Sequence, residues 1–375
     1  MDWKEELKDS VCTLEQLEEY TDLTSKEKRQ LKKVIERHPM RITRYYASLI
    51  NWNDPQDPIR KMAVPSTDEL NISGSYDTSG EKENTKMPGL QHKYPKTALI
   101  LATNSCGTYC RHCFRKRLVG LPTEEIMRRF DSSVKYIKNH KEINNVLISG
   151  GDPLILPTKT IRRFLEKLSK IEHLDFIRIG TRVPVTFPNR ILKDNELQNA
   201  LKENSKNKSI YIVTHFNHPD EITKKSTAAI RCLIASNVTV NNQTVILRGV
   251  NDNAETLAKL KTGLSRIRVN PYYVFQCRPV KRVKKGFQVP LHQGFTIVEN
   301  AKKLLDGHSK RFRYIMAHRT GKIEIIGIDG DDIYFKYHQA KKPKNLGKIF
   351  KKKISENAAW LDDLEKQESI QFITY

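Results

Sequence analysis

No apolar run in this 375-residue chain reaches the roughly 18 residues that a bilayer span needs, so no membrane segment is expected. The start, MDWKEELKDS, has no cationic stretch followed by an apolar one, and a cytoplasmic chain is expected. Cysteine is scarce, with six residues, and Cys12, Cys232 and Cys277 are scattered. That excludes a disulfide framework and fits a reducing compartment. Repeats at solenoid periods are absent. From Lys281 to Tyr314 the only glycines are Gly286, Gly294 and Gly307, each isolated, so that stretch holds no glycine-rich loop. Acid is also short: 43 acidic residues face 66 basic ones, a net charge of +23. Such a surface attracts phosphates, nucleic acid or small anions, with plain solvation as the alternative. The 38% of hydrophobic residues suffices for a substantial core.

What is present centres on Thr97–Gly120, TALILATNSCGTYCRHCFRKRLVG. Cys106, Cys110 and Cys113 form a C-x3-C-x2-C triplet directly after a strand-like run. Three thiolates are one short of the set that saturates an iron–sulfur cube or a tetrahedral zinc. A cube held by three cysteines keeps one iron open to an outside chelator. Zinc completed by His112 is the alternative, although zinc modules usually offer two separated ligand pairs.

Residues 1–66 read as a helical region, with Ser25 as N-cap before KEKRQLKKVIERH. Residues 67–92, polar and rich in Ser, Gly and Asn between 71 and 85, read as a linker or loop. From 93 to 278 strand-like runs alternate with helical ones, at 97–103, 143–149, 175–180, 208–214, 238–247 and 269–275. Strands separated by helices imply parallel βαβ units, and six of them suit a partial (β/α)6 barrel. Residues 279–375 read as a basic α+β extension, with a helix over Gln293–Asp306, three strands and a last helix around Trp360–Glu365. Its run KKPKNLGKIFKKK reads as a solvated face, with nucleic-acid contact as the alternative.

Barrels place their chemistry at the carboxyl ends of strands. The cysteine loop, Gly150–Asp152, Arg182 and His215 all follow such ends and are expected to converge. Gly150 and Gly151 permit close approach of a ligand, and Asp152 accepts from a cationic amine. His215 and His218, in THFNHPDEI, are candidates for cofactor contact against a purely structural role. Arg115 is placed to grip a carboxylate bidentately. Lys116 and Arg117 read as solvated, and Arg182 as a weaker anion-binding candidate.

The cysteine spacing resembles the cluster loop of radical S-adenosylmethionine (SAM) enzymes. DPIRK at 57–61, CGTYCRHCFRKR, VLISGGDPL, RIGTRVPVTFPNRI, THFNHPDEIT, NNQTVILRGVND and VNPYYVFQC together resemble the lysine 2,3-aminomutase family. RYIMAHRTGKIEIIG is similar to a later family segment. The resemblance implies a [4Fe-4S] cluster on Cys106, Cys110 and Cys113, and SAM held by Gly150, Gly151 and Asp152. It implies His215 and Gln243 near SAM or pyridoxal phosphate (PLP), and Lys93 and Tyr94 beside PLP. Arg115 matches the arginine that holds the substrate carboxylate. The activity implied is reductive cleavage of SAM, hydrogen abstraction from a small amino-acid-like substrate and 2,3-amino migration. An electron donor such as flavodoxin or ferredoxin is implied, and a homo-oligomer is compatible.

Two departures change the expectation. The family's PLP-binding lysine ends a run D-A-P-G-G-G-G-K that this chain lacks. Lys322 is expected to correspond to a different, later lysine, so PLP is inherited only by family. The family's substrate aspartate after Q-C is Arg278 here, and the other substrate aspartate is lost with the glycine run. An arginine there repels the ammonium of lysine, so an anionic substrate is expected. The alternative is a PLP-independent radical enzyme acting on another small molecule, a protein or a nucleic acid. The family's cysteine-rich zinc segment, and the assembly it bridges, are not expected.

Overall fold

The computed structural model describes residues 2–364. Twelve strands form one sheet in chain order. They are β1 (Thr85–Met87), β2 (Leu90–Tyr94), β3 (Thr97–Thr103), β4 (Asn145–Gly150), β5 (Phe176–Gly180) and β6 (Ser209–Thr214). β7 (Thr239–Ile246), β8 (Asn270–Gln276), β9 (Arg313–His318), β10 (Gly321–Asp329), β11 (Asp332–Ala340) and β12 (Ile349–Lys353) complete it. Pairing from β3 to β9 is parallel throughout, and both flanks are antiparallel. Each parallel step is bridged by a helix whose apolar stripe covers the sheet. In Thr158–Ser169 the buried residues Ile161, Phe164, Leu165 and Leu168 follow the helical period. Among the described residues β12 does not pair with β1, so the barrel stays open.

The six expected strands are present, and the parallel run continues one further. Helix Leu291–Lys303 buries Ile297, Val298 and Ala301 and carries the chain back to β9, which pairs with β8 at Tyr273↔Arg313. The sheet therefore runs across the expected boundary at 278–279. The expected helix around Trp360–Glu365 is a single 3-10 turn, Leu361–Asp363; Glu365 lies outside the described residues.

The N-terminal helices share the barrel's core through Ile42, Tyr46, Ile59 and Met62. Thr24, rather than Ser25, caps helix Ser25–Arg37, because its hydroxyl and Glu27 form the reciprocal capping box. The polar stretch 71–84 is a strap over the mouth of the barrel. The Ser75 amide donates to the Pro279 carbonyl at 2.9 Å, and Gly74, at φ +95°, lies so close to that carbonyl that a Cβ would collide with it. The basic C-terminal run forms the edge of the sheet, where Lys351 and Lys353 both pair with Asp332.

Candidate active site

The carboxyl ends of the strands enclose a cavity of about 320 Å³, within the usual range for small-ligand sites. The three cysteines, Gly150–Asp152, Arg182, His215, Gln243, Lys93, Tyr94, Arg115 and Arg278 all line it. His218 does not: its ring accepts from the Asp220 amide at 3.3 Å and caps the turn Pro219–Glu221.

The cysteine loop is pinned from behind. Arg111 donates to Glu69 at 2.8 and 2.6 Å, and Lys116 to the same carboxylate at 2.5 Å, all three buried. The two cations hold the Glu69 carboxyl down at about 2 against the pull of burial. Lys116 is thus a structural residue, where a solvated one was expected. Burial raises the Cys106 thiol, and that of Cys113 to about 11. A thiol in such a place ionises when a metal takes it. Among the described residues the three thiols do not all lie within 4.8 Å of one another, and no trio with His112 does. Thiolates on one tetrahedral zinc sit about 3.8 Å apart, from a Zn–S length near 2.3 Å. The wider spread suits a multi-iron cluster. His112 packs its ring edgewise on Phe287 at 5.8 Å, and burial holds it neutral.

Gly150, at φ +117°, and Gly151 lie against the start of the cysteine loop, where a Cβ would strike the carbonyls of Thr103 and Ser105. The Asp152 amide donates to the Ser105 carbonyl at 2.8 Å. Its carboxylate accepts from Thr181 Oγ1 at 2.6 Å, the Arg182 amide at 2.6 Å and the Leu154 amide at 3.1 Å. The Gly-Gly-Asp turn therefore locks two loops together as well as facing the cavity. Arg182, expected as an anion binder, has its guanidinium committed to Cys110, Tyr46, Glu221 and the His215 carbonyl. Burial and the Arg182 charge push His215 down to about 4, so it faces the cavity neutral.

An arginine cluster begins beside the cysteine loop, at Arg115. Arg115 donates to Ser149 Oγ at 3.0 Å and to the Gly150 carbonyl at 3.3 Å, and its buried Nε has no partner. Arg278 lies over the Phe114 ring at 4.1 Å and donates to Ser79 Oγ at 2.9 Å. Glu81, on the strap, pairs with Arg115 at 3.4 Å and with Arg117, and these cations and Arg278 lower its carboxyl. Arg117 was expected to be solvated and is instead held by Glu81 and Glu125. Nothing in the run GEKEN distinguishes Glu81 from an ordinary surface acid, and sequence reading passed over it. Arg178 was also passed over; it lines the cavity from β5 with a buried, unpartnered Nε.

Lys93 donates to the carbonyls of Ser79 at 3.0 Å and His318 at 2.7 Å, and burial, with Arg278 nearby, lowers its amine to about 7. Beside it the structure places Lys322, which the sequence resemblance had set aside. Only Arg319 and Thr320 separate β9 from β10, so the strand begins at Gly321 and delivers the next residue into the cavity. Lys322 Nζ lies over Tyr273 at 4.9 Å and Phe275 at 4.8 Å. Burial, then Arg178, Arg278 and Lys93, lower its amine to about 7.

This geometry agrees with the comparisons. Residues 100–260 match the family model of the Radical SAM superfamily. The chain is thus a radical SAM enzyme, of the class that uses a [4Fe-4S] cluster and SAM. A homologue from Aquifex aeolicus is 44% identical over 344 residues, covering 91% of this chain and 92% of its own. The L-lysine 2,3-aminomutase of Clostridium subterminale is 39% identical, covering 83% and 73%. The glutamate 2,3-aminomutase of Clostridioides difficile is 37% identical, covering 80% and 70%. The chain belongs to the lysine 2,3-aminomutase family of radical SAM enzymes. No described helix is long and apolar enough to cross a membrane.

Proposed function

We propose that this enzyme moves an amino group between neighbouring carbons of a small acidic amino acid, with PLP held by Lys322. The observation that carries this reading is the Lys322 amine. It faces the cavity with no hydrogen-bond or ion-pair partner among the described residues, and half of it is neutral near pH 7. A desolvated lysine beside other cations is the nucleophile that carbonyl cofactors require. The donor set around it fits an anionic cofactor, because Arg178, with its unpartnered Nε, supplies positive charge for a phosphate and Lys93 supplies a donor.

Cys106, Cys110 and Cys113 would hold the cluster. Gly150, Gly151 and Asp152, with His215 and Gln243, would border SAM, and Lys93 and Tyr94 would border PLP. When bound, these groups would supply an electron that splits SAM, a carbon radical that takes hydrogen from substrate, and a conjugated carbonyl group that eases the shift of nitrogen from one substrate carbon to its neighbour. The protein's part is to bind and orient. Arg115 offers its free Nε edge to one substrate carboxylate, and Arg278 offers charge to the second. Glu81 offsets part of the arginine cluster but leaves the pocket cationic, which disfavours lysine. Leu99, Leu147, Val213, Val245 and Phe275 give the cavity apolar walls that exclude water. A flavodoxin or ferredoxin would deliver the electron.

The test is anaerobic turnover of L-glutamate, L-aspartate and L-lysine with SAM, PLP and dithionite, read as β-amino acid by mass spectrometry. An acidic substrate is expected to isomerise. Faster conversion of lysine would overturn the reading.

A further inference from the structure

Arg182 is fixed so firmly that its place in the site is a matter of charge rather than of binding. Nη1 donates to Cys110 Sγ at 2.9 Å, Nε to the His215 carbonyl at 3.1 Å, and Nη2 to Tyr46 Oη at 2.9 Å and to Glu221. A guanidinium has five N–H donors, and these contacts leave almost nothing for a substrate. Glu221 is itself buried and accepts from Tyr46 Oη at 2.6 Å and from the amides of Asn217 at 2.6 Å and His218 at 3.0 Å. Turning Arg182 toward the cavity would leave that carboxylate buried and unpaired, which is strongly unfavourable. Among the described residues, Cys110 alone of the three thiols receives a side-chain N–H.

We propose that Arg182 sets the reduction potential of the cluster, through a charge-assisted hydrogen bond to the Cys110 sulfur. A low-potential one-electron donor gives up an electron, and the added negative charge is spread over iron and the ligating sulfurs. A fixed cation on one sulfur stabilises that extra charge and so raises the potential; hydrogen bonds to sulfur and nearby charge are the protein's levers here. Glu221 acts in the opposite sense from one shell further out, damping the cation it holds. The inference rests on the triplet holding a cluster and is independent of PLP and of the substrate.

The experiment uses cluster-loaded full-length enzyme without SAM, PLP or substrate, titrated with dithionite and mediators and followed by EPR. The double variant Arg182→Gln/Glu221→Gln removes the cation without leaving a buried carboxylate unpaired. Its equilibrium constant for reduction is expected to fall about tenfold, which is about 59 mV more negative for one electron. Glu221→Gln alone keeps the cation and removes its counter-charge, so its potential is expected to rise. In wild-type enzyme grown on arginine ¹⁵N-labelled only in the guanidino group, which leaves the Arg115 amide on Cys113 silent, pulsed EPR of the reduced cluster is expected to show one coupled nitrogen, lost in the double variant. An unchanged potential at full iron content, a fall in Glu221→Gln, or no nitrogen coupling in wild type would overturn the proposal. Should the double variant fail to load iron, the single variant and the labelled wild type still decide.

Discussion

Replacing Arg278 by Met isolates the charge that separates an acidic substrate from lysine. Methionine keeps a long side chain against Phe114, where the guanidinium now lies at 4.1 Å, and removes only the cation and its bond to Ser79. A hydrogen bond to a charged group contributes about 1.5–3 kcal/mol. At 1.4 kcal/mol per decade, kcat/KM for L-glutamate should fall about 10- to 150-fold. The other side is repulsion: an ammonium about 4 Å from Arg278 would cost about 4 kcal/mol at an effective dielectric of 20. Lysine should therefore gain as glutamate loses, and the preference should shrink by at least about two decades, taking half of each effect. Glu81 does not cancel this, because its carboxylate is shared with Arg115 and Arg117. The assay is paired turnover of the two amino acids at matched iron and PLP content. Unchanged glutamate kcat/KM in Arg278→Met would refute the reasoning.

PLP capture should follow the ionisation of Lys322. Its amine is lowered from 10.5 to about 7, so the neutral, reactive form accumulates as pH rises through 7. The initial capture rate should climb from pH 6 to 8 and then level, whereas an ordinary lysine would keep climbing toward pH 10. Glu69→Gln leaves Arg111 and Lys116 buried without a counter-charge and should destabilise by about 3–5 kcal/mol at pH 7 in urea unfolding. The Glu69 carboxyl is depressed from 4.5 to about 2, so its contribution is present above pH 4.5 and lost as pH falls toward 2; the variant's deficit should shrink over that window. Gly151→Ala would drive a Cβ into the Ser105 carbonyl and displace the start of the cysteine loop, so iron retained after reconstitution should drop.

The strand order was legible because each parallel strand is a short apolar run bounded by helical periodicity, and the cysteine spacing is a local signal. RYIMA was legible as a strand, but its place as β9 in the parallel run was not, because it lies beyond the Q-C block and its crossover helix looked like the start of an extension. Lys322 was visible but set aside, because it corresponds to a different, later family lysine; that the two-residue turn Arg319–Thr320 delivers it to the cavity wall is a matter of geometry that the missing glycine run hides. Arg182 and Lys116 were visible as cations, but their destinations, Cys110 and Glu69, lie 72 and 47 residues away along the chain. Glu81 carries no local mark at all; only the strap's anchorage at Pro279 makes it part of the site.

The most direct measurement is the site of PLP attachment. Anaerobically purified, cluster-loaded enzyme would be supplied with PLP, reduced with borohydride, digested and mapped by mass spectrometry. The account predicts a pyridoxyl group on the peptide containing Lys322, near one per chain, and its loss in Lys322→Ala. Attachment at another lysine, or none with the cluster intact, would contradict it.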